Sequence, residues 1–259
     1  MPEVTAPFQP GTPCWVDLMT TDQQAALDLY RDLFGWQGEV GPPEFGGYSV
    51  CHLNGRAVAG IAQTMAPEGM PLPPVAWTTY LASDDADATL RAVTAAGGTV
   101  MMPVMDVGTT GRMLVAADPT GAVFGVWQPV EFSGAQVVNE PGALNWNELR
   151  TTDVDAASAF YRAAMGIDVE PMEAAPGYYT LQVGGRVVGG LTTLEDVPPG
   201  TPSNWLTYFA ADDVDSVVDV LVKAGGSVLK PPFDSLPGRI AVVQDPQGAV
   251  FALIRGEPM

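Results

Sequence analysis

The alternation of apolar and polar positions in PCWVDLMT, from Pro13, reads as a β-strand. In QQAALDLYRDLF, after Asp22, the apolar residues fall three and four apart, as on one face of a helix. Asp22 stands where an N-cap side chain accepts a free amide, and Gly35 stands where a helix closes in a left-handed turn. Tyr48 to Leu53 and Arg56 to Gln63 are strand-like runs joined by Asn54-Gly55, a pair that favours a tight hairpin. WTTYLAS, from Trp77, starts a further strand; Asp84 or Asp85 caps a helix through TLRAVTAA, and Gly97-Gly98 stops it. Thr99 to Met102, Arg112 to Ala116 and Ala122 to Trp127 complete the series as short strands, with turns at Gly111 and at DPTG.

The whole series is then written a second time. WVDLMTTD returns as WNELRTTD at Trp146, and LYRDLFG returns as FYRAAMG, with Tyr30 matched by Tyr161. GYSVCHLNGRAVAG becomes GYYTLQVGGRVVGG, WTTYLASDDADA becomes WLTYFAADDVDS, and DPTGAVFGV becomes DPQGAVFAL. Each half is itself two strand–helix–strand units, so one motif is stated four times and each copy controls the reading of the others. Gln128 to Gly142 has no helical or strand period and separates the copies. The pattern predicts a first domain over 8–129, a linker over 130–141 and a second domain over 142–257, packed as an intramolecular pseudo-dimer.

Composition agrees with two ordinary cores: 47% of the 259 residues are hydrophobic. No apolar run is long enough to span a bilayer, and MPEVTAPFQPG lacks the basic start and hydrophobic stretch of a secretory signal, which predicts a cytoplasmic address. Cys14 and Cys51 are replaced in the second copy by Asn145 and Leu181, so they read as buried free thiols, not a disulfide framework. The net charge of −19 repels phosphate backbones and anionic membrane surfaces, which argues against nucleic-acid and membrane partners. It also attracts cationic small molecules, although its commoner effect is solubility.

A strand ending in TTD, a helix containing YR and closing on Gly, a strand before DD and a helix ending AGG, and a terminal DPxGxxF strand together resemble the vicinal oxygen chelate superfamily. That group includes glyoxalase I, fosfomycin-modifying enzymes, extradiol dioxygenases and bleomycin-resistance proteins. The resemblance covers both halves and implies an α+β fold of tandem glyoxalase-like domains, each of two paired βαβββ modules whose curved sheets enclose a pocket. It also implies places for a divalent metal. The first ligand position, seven residues before the Asp that opens the first helix, is Trp15 in one half and Trp146 in the other. The second falls on Thr78 and Leu206, or on Trp77 and Trp205 if the register shifts by one. The last corresponds to Gly125 and Ala252. None of these side chains holds a divalent cation in the usual way, and the chain has a single histidine, His52. The expectation is therefore no metal cofactor. A site built from Asp17, His52 and a further ligand would depart from the family pattern.

In place of ligands, both copies carry rings and an acid. Trp15 and Trp146 are expected to point into the cups, joined by the matched pairs Tyr48 and Tyr178, and Tyr80 and Tyr208. Thr78 and the matched pair His52 and Gln182 are further candidate ligand contacts. Trp77 and Trp205 read as core. Asp17 and Glu148 lie two residues beyond the tryptophans on the same strand face. Beside a ring, such an acid has its charged form disfavoured unless an arginine or a ligand cation compensates, so each is a candidate general acid or base or a counter-charge for a basic ligand. The matched arginines Arg56, Arg186, Arg112 and Arg239 are the candidate partners, or else turn anchors.

These residues favour metal-independent binding of a small planar aromatic metabolite or antibiotic, cationic if the acids serve as counter-charges, in the manner of bleomycin-resistance proteins. Two enzymatic alternatives stay open. One is a metabolite-tailoring lyase, isomerase or hydroxylase-like step with Asp17 or Glu148 as acid or base; the other is an atypical metal-dependent glyoxalase or dioxygenase. No phosphate-cradling loop, dinucleotide fingerprint or nucleophile elbow is present.

Overall fold

The computed structural model describes residues 3–66, 69, 72–195 and 197–256. The first half runs β1 (Pro13–Thr20), α1 (Gln23–Phe34), β2 (Ser49–Leu53), β3 (Arg56–Gln63), β4 (Ala76–Ala82), α2 (Ala86–Ala95), β5 (Thr99–Val107), β6 (Gly111–Ala117) and β7 (Val123–Pro129). The second half runs β8 (Leu144–Thr151), α3 (Val154–Met165), β9 (Asp168–Pro171), β10 (Tyr178–Val183), β11 (Arg186–Thr193), β12 (Asn204–Ala210), α4 (Val214–Lys223), β13 (Ser227–Ser235), β14 (Gly238–Gln244) and β15 (Val250–Gly256). Each half is one continuous sheet, ordered β2-β3-β1-β4-β7-β6-β5 and β13-β14-β15-β12-β8-β11-β10-β9. The two modules of a half meet at an antiparallel seam, β1 with β4 and β8 with β12. Beside the seam, β1 runs parallel to β3 and β4 parallel to β7.

Local chemistry sets the helices. Asp22, Asp85, Asp153 and Asp213 each accept the amide three residues on, and Gly35 (φ 74°) and Gly166 (φ 66°) close α1 and α3 in the left-handed region. The Asn54-Gly55 hairpin has both residues at positive φ, 51° and 78°, as a tight primed turn requires. One module departs from the expected four strands. Where the second half forms β9, the first half has only a bridge between Gln37 and His52. The segment that follows is Gly38-Glu39-Val40-Gly41-Pro42-Pro43, and its prolines cannot donate to a ladder. A side chain at 38 would stand 2.9 Å from Leu27 and 3.0 Å from Cys51.

The halves pack as an intramolecular pseudo-dimer with exchanged cores. Leu27, Tyr30, Phe34 and Trp36, in and just after α1, share one apolar cluster with Phe209, Val218, Leu221 and Phe251 of the second half. Phe160, Tyr161 and Met165 of α3 share another with Val93, Leu114 and Phe124 of the first. A relay of matched residues crosses this interface. Trp77 Nε1 donates to Tyr30 Oη at 3.1 Å, and Tyr30 donates to Asp245 Oδ2 of the opposite half at 3.2 Å. In the second copy Trp205 Nε1 donates to Tyr161 Oη at 2.8 Å, and Asp118 stands near that hydroxyl. Asp118 and Asp245 also cap their own DPxG turns, each accepting two turn amides on Oδ1. The motif that closes each half therefore also fastens it to the other. Cys14 and Cys51 are buried free thiols, in separate clusters.

Candidate functional site

The sheet faces turned away from the helices carry the residues that the repeat comparison singles out. In β1, Val16 and Leu18 point to the shared core, so Trp15 and Asp17 point the other way, into the first cup. Across the seam Trp15 pairs with Tyr80 and Asp17 with Thr78. Trp15 Nε1 donates to Tyr48 Oη at 2.8 Å; Tyr48 donates on to Asp17 Oδ2 at 3.3 Å, and Tyr80 donates to the same oxygen at 3.0 Å. Glycine makes this possible: a Cβ at Gly60 would lie 1.8 Å from Tyr48 Oη, and one at Gly125 would lie 2.2 Å from the Tyr80 ring.

Asp17 is 5% exposed, and its other oxygen, Oδ1, has no hydrogen-bond partner among the described residues. Burial pushes its carboxyl up to about 7, against the two phenol hydrogen bonds that pull it down. Burial and the Asp17 charge in turn raise the Tyr48 and Tyr80 phenols. This cup is closed by the chain itself. Phe132, in the segment after β7, meets Trp15 edge-to-face at 4.9 Å, and its carbonyl accepts from Trp127 Nε1 at 2.7 Å. Ala135 and Gln136 continue that segment along β1 and β3 by bonds to Cys14 O and Ala57 O. Trp15 is left 4% exposed.

The second cup repeats the frame with a different electrostatic solution. Trp146 Nε1 donates to Tyr178 Oη at 3.0 Å, with Gly190 providing the same clearance. Glu148, where Asp17 stands in the first half, is ion-paired to Arg150 Nε at 2.8 Å. Burial is the largest single influence on Arg150 and lowers its pKa, but the charges and hydrogen bonds of Glu148 and Tyr208 together raise it on balance. The Tyr208 phenol is raised by burial and by the Glu148 charge, and lowered by Arg150, to which it is also hydrogen-bonded. The counter-charge role expected of Glu148 is thus taken inside the protein, by a residue outside the four matched arginines. Three of those pair near the surface, Arg56 with Glu3, Arg112 with Asp87 and Asp106, and Arg239 with Asp215 and Asp234, and the fourth, Arg186, is exposed.

The second cup is also more open. Val187 is 50% exposed where its counterpart Ala57 is 2% exposed, and Trp146 is half-buried. A groove of about 660 Å³ runs along the junction of the halves, lined by Trp146, Val187, Ile254, Phe8, Asn145 and Arg255 among others. The remaining candidates lie at the margins. By alternation His52 shares the face of Tyr48, just before β2; its backbone bridges Gln37 and pairs with β3, and among the described residues its side chain has no hydrogen bond to the Trp–Tyr–acid group. Gln182 donates to Thr180 Oγ1 at 3.0 Å. Neither joins the Trp–Tyr–acid group. Trp77 and Trp205 are core. Arg150 and Phe132, absent from the sequence-based set, are the residues that most distinguish the cups. Arg150 had a legible signal, since it lies two residues past Glu148 on one strand face and faces Met19 in the repeat.

The donor set does not fit the family's metal. Its expected positions hold indole, threonine or leucine, and glycine or alanine, and the Tyr80 ring fills the space beside Gly125. Among the described residues no three His, Cys, Asp or Glu side chains converge.

Comparison with known proteins places this geometry. A Mycobacterium tuberculosis protein named "Putative glyoxylase CFP32" is 48% identical over 97% of both chains. "Anthracycline biosynthesis protein DnrV" of Streptomyces peucetius is 39% identical, over 95% of this chain and 94% of its own. Among solved structures, the Mn(II)-bound glyoxalase from Novosphingobium aromaticivorans superposes with TM-score 0.62 at 17% identity, covering 95% of this chain and 82% of that one. A 2,2',3-trihydroxybiphenyl 1,2-dioxygenase from Sphingomonas wittichii gives 0.64 at 15%, covering 96% and 91%. At those identities the likeness is one of fold. The family model itself matches residues 14–126 and again 143–253, and the chain belongs to the Glyoxalase/Bleomycin resistance protein/Dioxygenase superfamily.

Proposed function

We propose that this protein binds a small planar aromatic metabolite without a metal ion, and that the second cup is the binding site. The observation that carries the reading is the contrast at the matched tryptophans: Trp15 lies under Phe132, whereas Trp146 borders an open groove of ligand size. A half-buried indole there offers a flat apolar face, and Asn145 and Arg255 line the same groove with polar groups. The kinship with a protein named for anthracycline biosynthesis supports a polycyclic ligand. The unsuitable donor set supports metal independence. The test is titration of chelator-dialysed protein with an anthracycline, read by tryptophan fluorescence. Saturable quenching lost in Trp146→Ala is the expected result; quenching that requires added Fe, Mn, Ni or Zn would overturn the metal-free reading.

One observation favours a second reading. A buried carboxyl that titrates near neutrality, with one oxygen unpartnered, is a general acid or base in waiting, so Asp17 could perform a proton transfer on a ligand admitted beneath Phe132. Loss of turnover in Asp17→Asn with ligand affinity retained would establish it; unchanged behaviour would leave binding alone.

A further inference from the structure

The groove beside Trp146 is the second half's copy of a space that the first half fills with its own chain. Five residues of its wall, Asn145, Trp146, Val187, Ala210 and Ile254, match Cys14, Trp15, Ala57, Ala82 and Trp127 in the repeat. Those five first-half residues form one apolar cluster with Ala135, and Phe132 packs against it. No ladder pair joins β1 to β3 before Asp17–Gly60, or β8 to β11 before Glu148–Gly190, so the first residues of each pair of strands are not bonded to each other. In the first half, residues 132–136 bond to both strands there. Phe132 lies edge-to-face on Trp15 at 4.9 Å, and Ala135 N donates to Cys14 O at 2.8 Å. Gln136 N donates to Ala57 O at 2.8 Å, and Ala57 N donates back to Gln136 Oε1 at 2.9 Å.

The second half keeps the receiving groups without such an occupant. Val187 stands opposite Gln182 as Ala57 stands opposite His52. The His52 amide and carbonyl go to Gln37, and Gln182 pairs on the same side with Asp168, so neither Ala57 nor Val187 is bonded across its hairpin. Both present N–H and C=O on the other edge of the strand. For Val187 that edge meets the groove, and among the described residues no segment bonds to it as Gln136 bonds to Ala57. Exposure follows, with Val187 at 50% against 2% for Ala57. Open N–H and C=O groups on a strand are a template for another extended chain, and a ligand that displaces water from them without pairing would leave them at a cost. Residues 132–136 display the chemistry that satisfies such a site: a ring on the indole and, four residues on, a donor and an acceptor meeting one residue of the strand.

We infer that the ligand of the second groove is peptide-like: an aromatic ring for Trp146 joined to an extended amide chain whose N–H and C=O pair with Val187. This rests on the reading that the groove binds an aromatic molecule, and adds what the ring is attached to. The indole supplies affinity common to all rings, and the open edge of β11 selects those that carry an amide arm and fixes the direction in which the arm runs.

The probe is acetyl-Phe-Ser-Gly-Ala-Gln-amide, the sequence of residues 132–136, titrated calorimetrically into the full chain after chelator dialysis. Saturable binding is expected, with displacement of an anthracycline from the same groove. Replacing the peptide's Phe by Ala, or methylating its Gln main-chain nitrogen, should each weaken binding about tenfold or more, since one removes the ring and the other the donor to Val187. Trp146→Ala in the protein should weaken it as much as loss of the ring. Circular dichroism checks that this variant is folded; if it is not, the ranking of the three peptides on the wild-type chain decides. Anthracycline quenching lost in Trp146→Ala, with no binding of the peptide, would leave the second-cup reading standing and overturn the amide arm. Peptide binding that N-methylation leaves unchanged would overturn the pairing with Val187, and binding that persists in Trp146→Ala or beside bound anthracycline would overturn the placement in this groove. Failure of anthracycline and peptide alike would overturn both.

Discussion

In the first half Trp15 lies 4% exposed beneath Phe132, beside an acid whose side-chain partners among the described residues are two phenols; in the second, Trp146 borders a groove, beside an acid held by an arginine. Both keep the indole-to-phenol bond, 2.8 and 3.0 Å, and the glycine, Gly60 or Gly190, that gives that phenol room. Duplication thus kept the architecture of a cup and let its chemistry diverge at two kinds of place. One is a single position, Met19 against Arg150. The other is the segment after β7, which folds back over the first cup.

The sharpest way to break this comparison is to make the second acid resemble the first. Arg150→Met leaves Glu148 buried and uncompensated and should cost about 3–5 kcal/mol in urea unfolding at pH 7, most of it recovered when Glu148→Gln is added. Removing the first acid's charge should act in the opposite direction. Because the folded-state pKa of Asp17 is raised from 3.8 to about 7, wild-type stability falls as pH rises through that window and is level above it. Asp17→Asn should therefore gain over wild type from nothing near pH 4 to at most about 4 kcal/mol above pH 7, followed by unfolding at a series of pH values. A gain that does not vary with pH would contradict the assignment. The shared frame is tested by Gly60→Ala and Gly190→Ala, which drive a methyl group into Tyr48 or Tyr178. Each should cost about 1–3 kcal/mol in thermal or urea unfolding, and a difference between them would show unequal cups beneath matched residues. Phe132→Ala has the smallest expected cost, about 1–2 kcal/mol for a partly exposed ring, but it uncovers Trp15. Acrylamide quenching should rise, and the first cup should gain ligand access.

Most of the frame was legible in the sequence because it depends on local rules. The Asp caps, Gly35 and Gly166, the Asn54-Gly55 turn and the strand alternation act within a few residues, and the repeat showed each twice. Trp15, Asp17, Tyr48 and Tyr80 were placed on one face by period and by matching between copies, and the structure joins them by hydrogen bonds. What stayed hidden depends on tertiary contact. The linker reads as aperiodic because Phe132 and Gln136 are specified by the cup and strand they cover, not by their neighbours in sequence. Tyr30 and Asp245 look like separate helix and turn motifs until the halves pack and the two hydrogen-bond across the interface. Arg150 follows from the same alternation that places Glu148, but it has no matching arginine in the first copy, where Met19 stands, so the repeat gives it no second signal.

On the proposed reading one cup, the second, takes the ligand without a metal ion. Calorimetric titration of chelator-dialysed protein with an anthracycline tests it most directly. The account predicts one equivalent bound, abolished by Trp146→Ala, unchanged in Trp15→Ala, and raised toward two in Phe132→Ala. Two equivalents on the wild-type chain, or binding lost in Trp15→Ala and kept in Trp146→Ala, would contradict it.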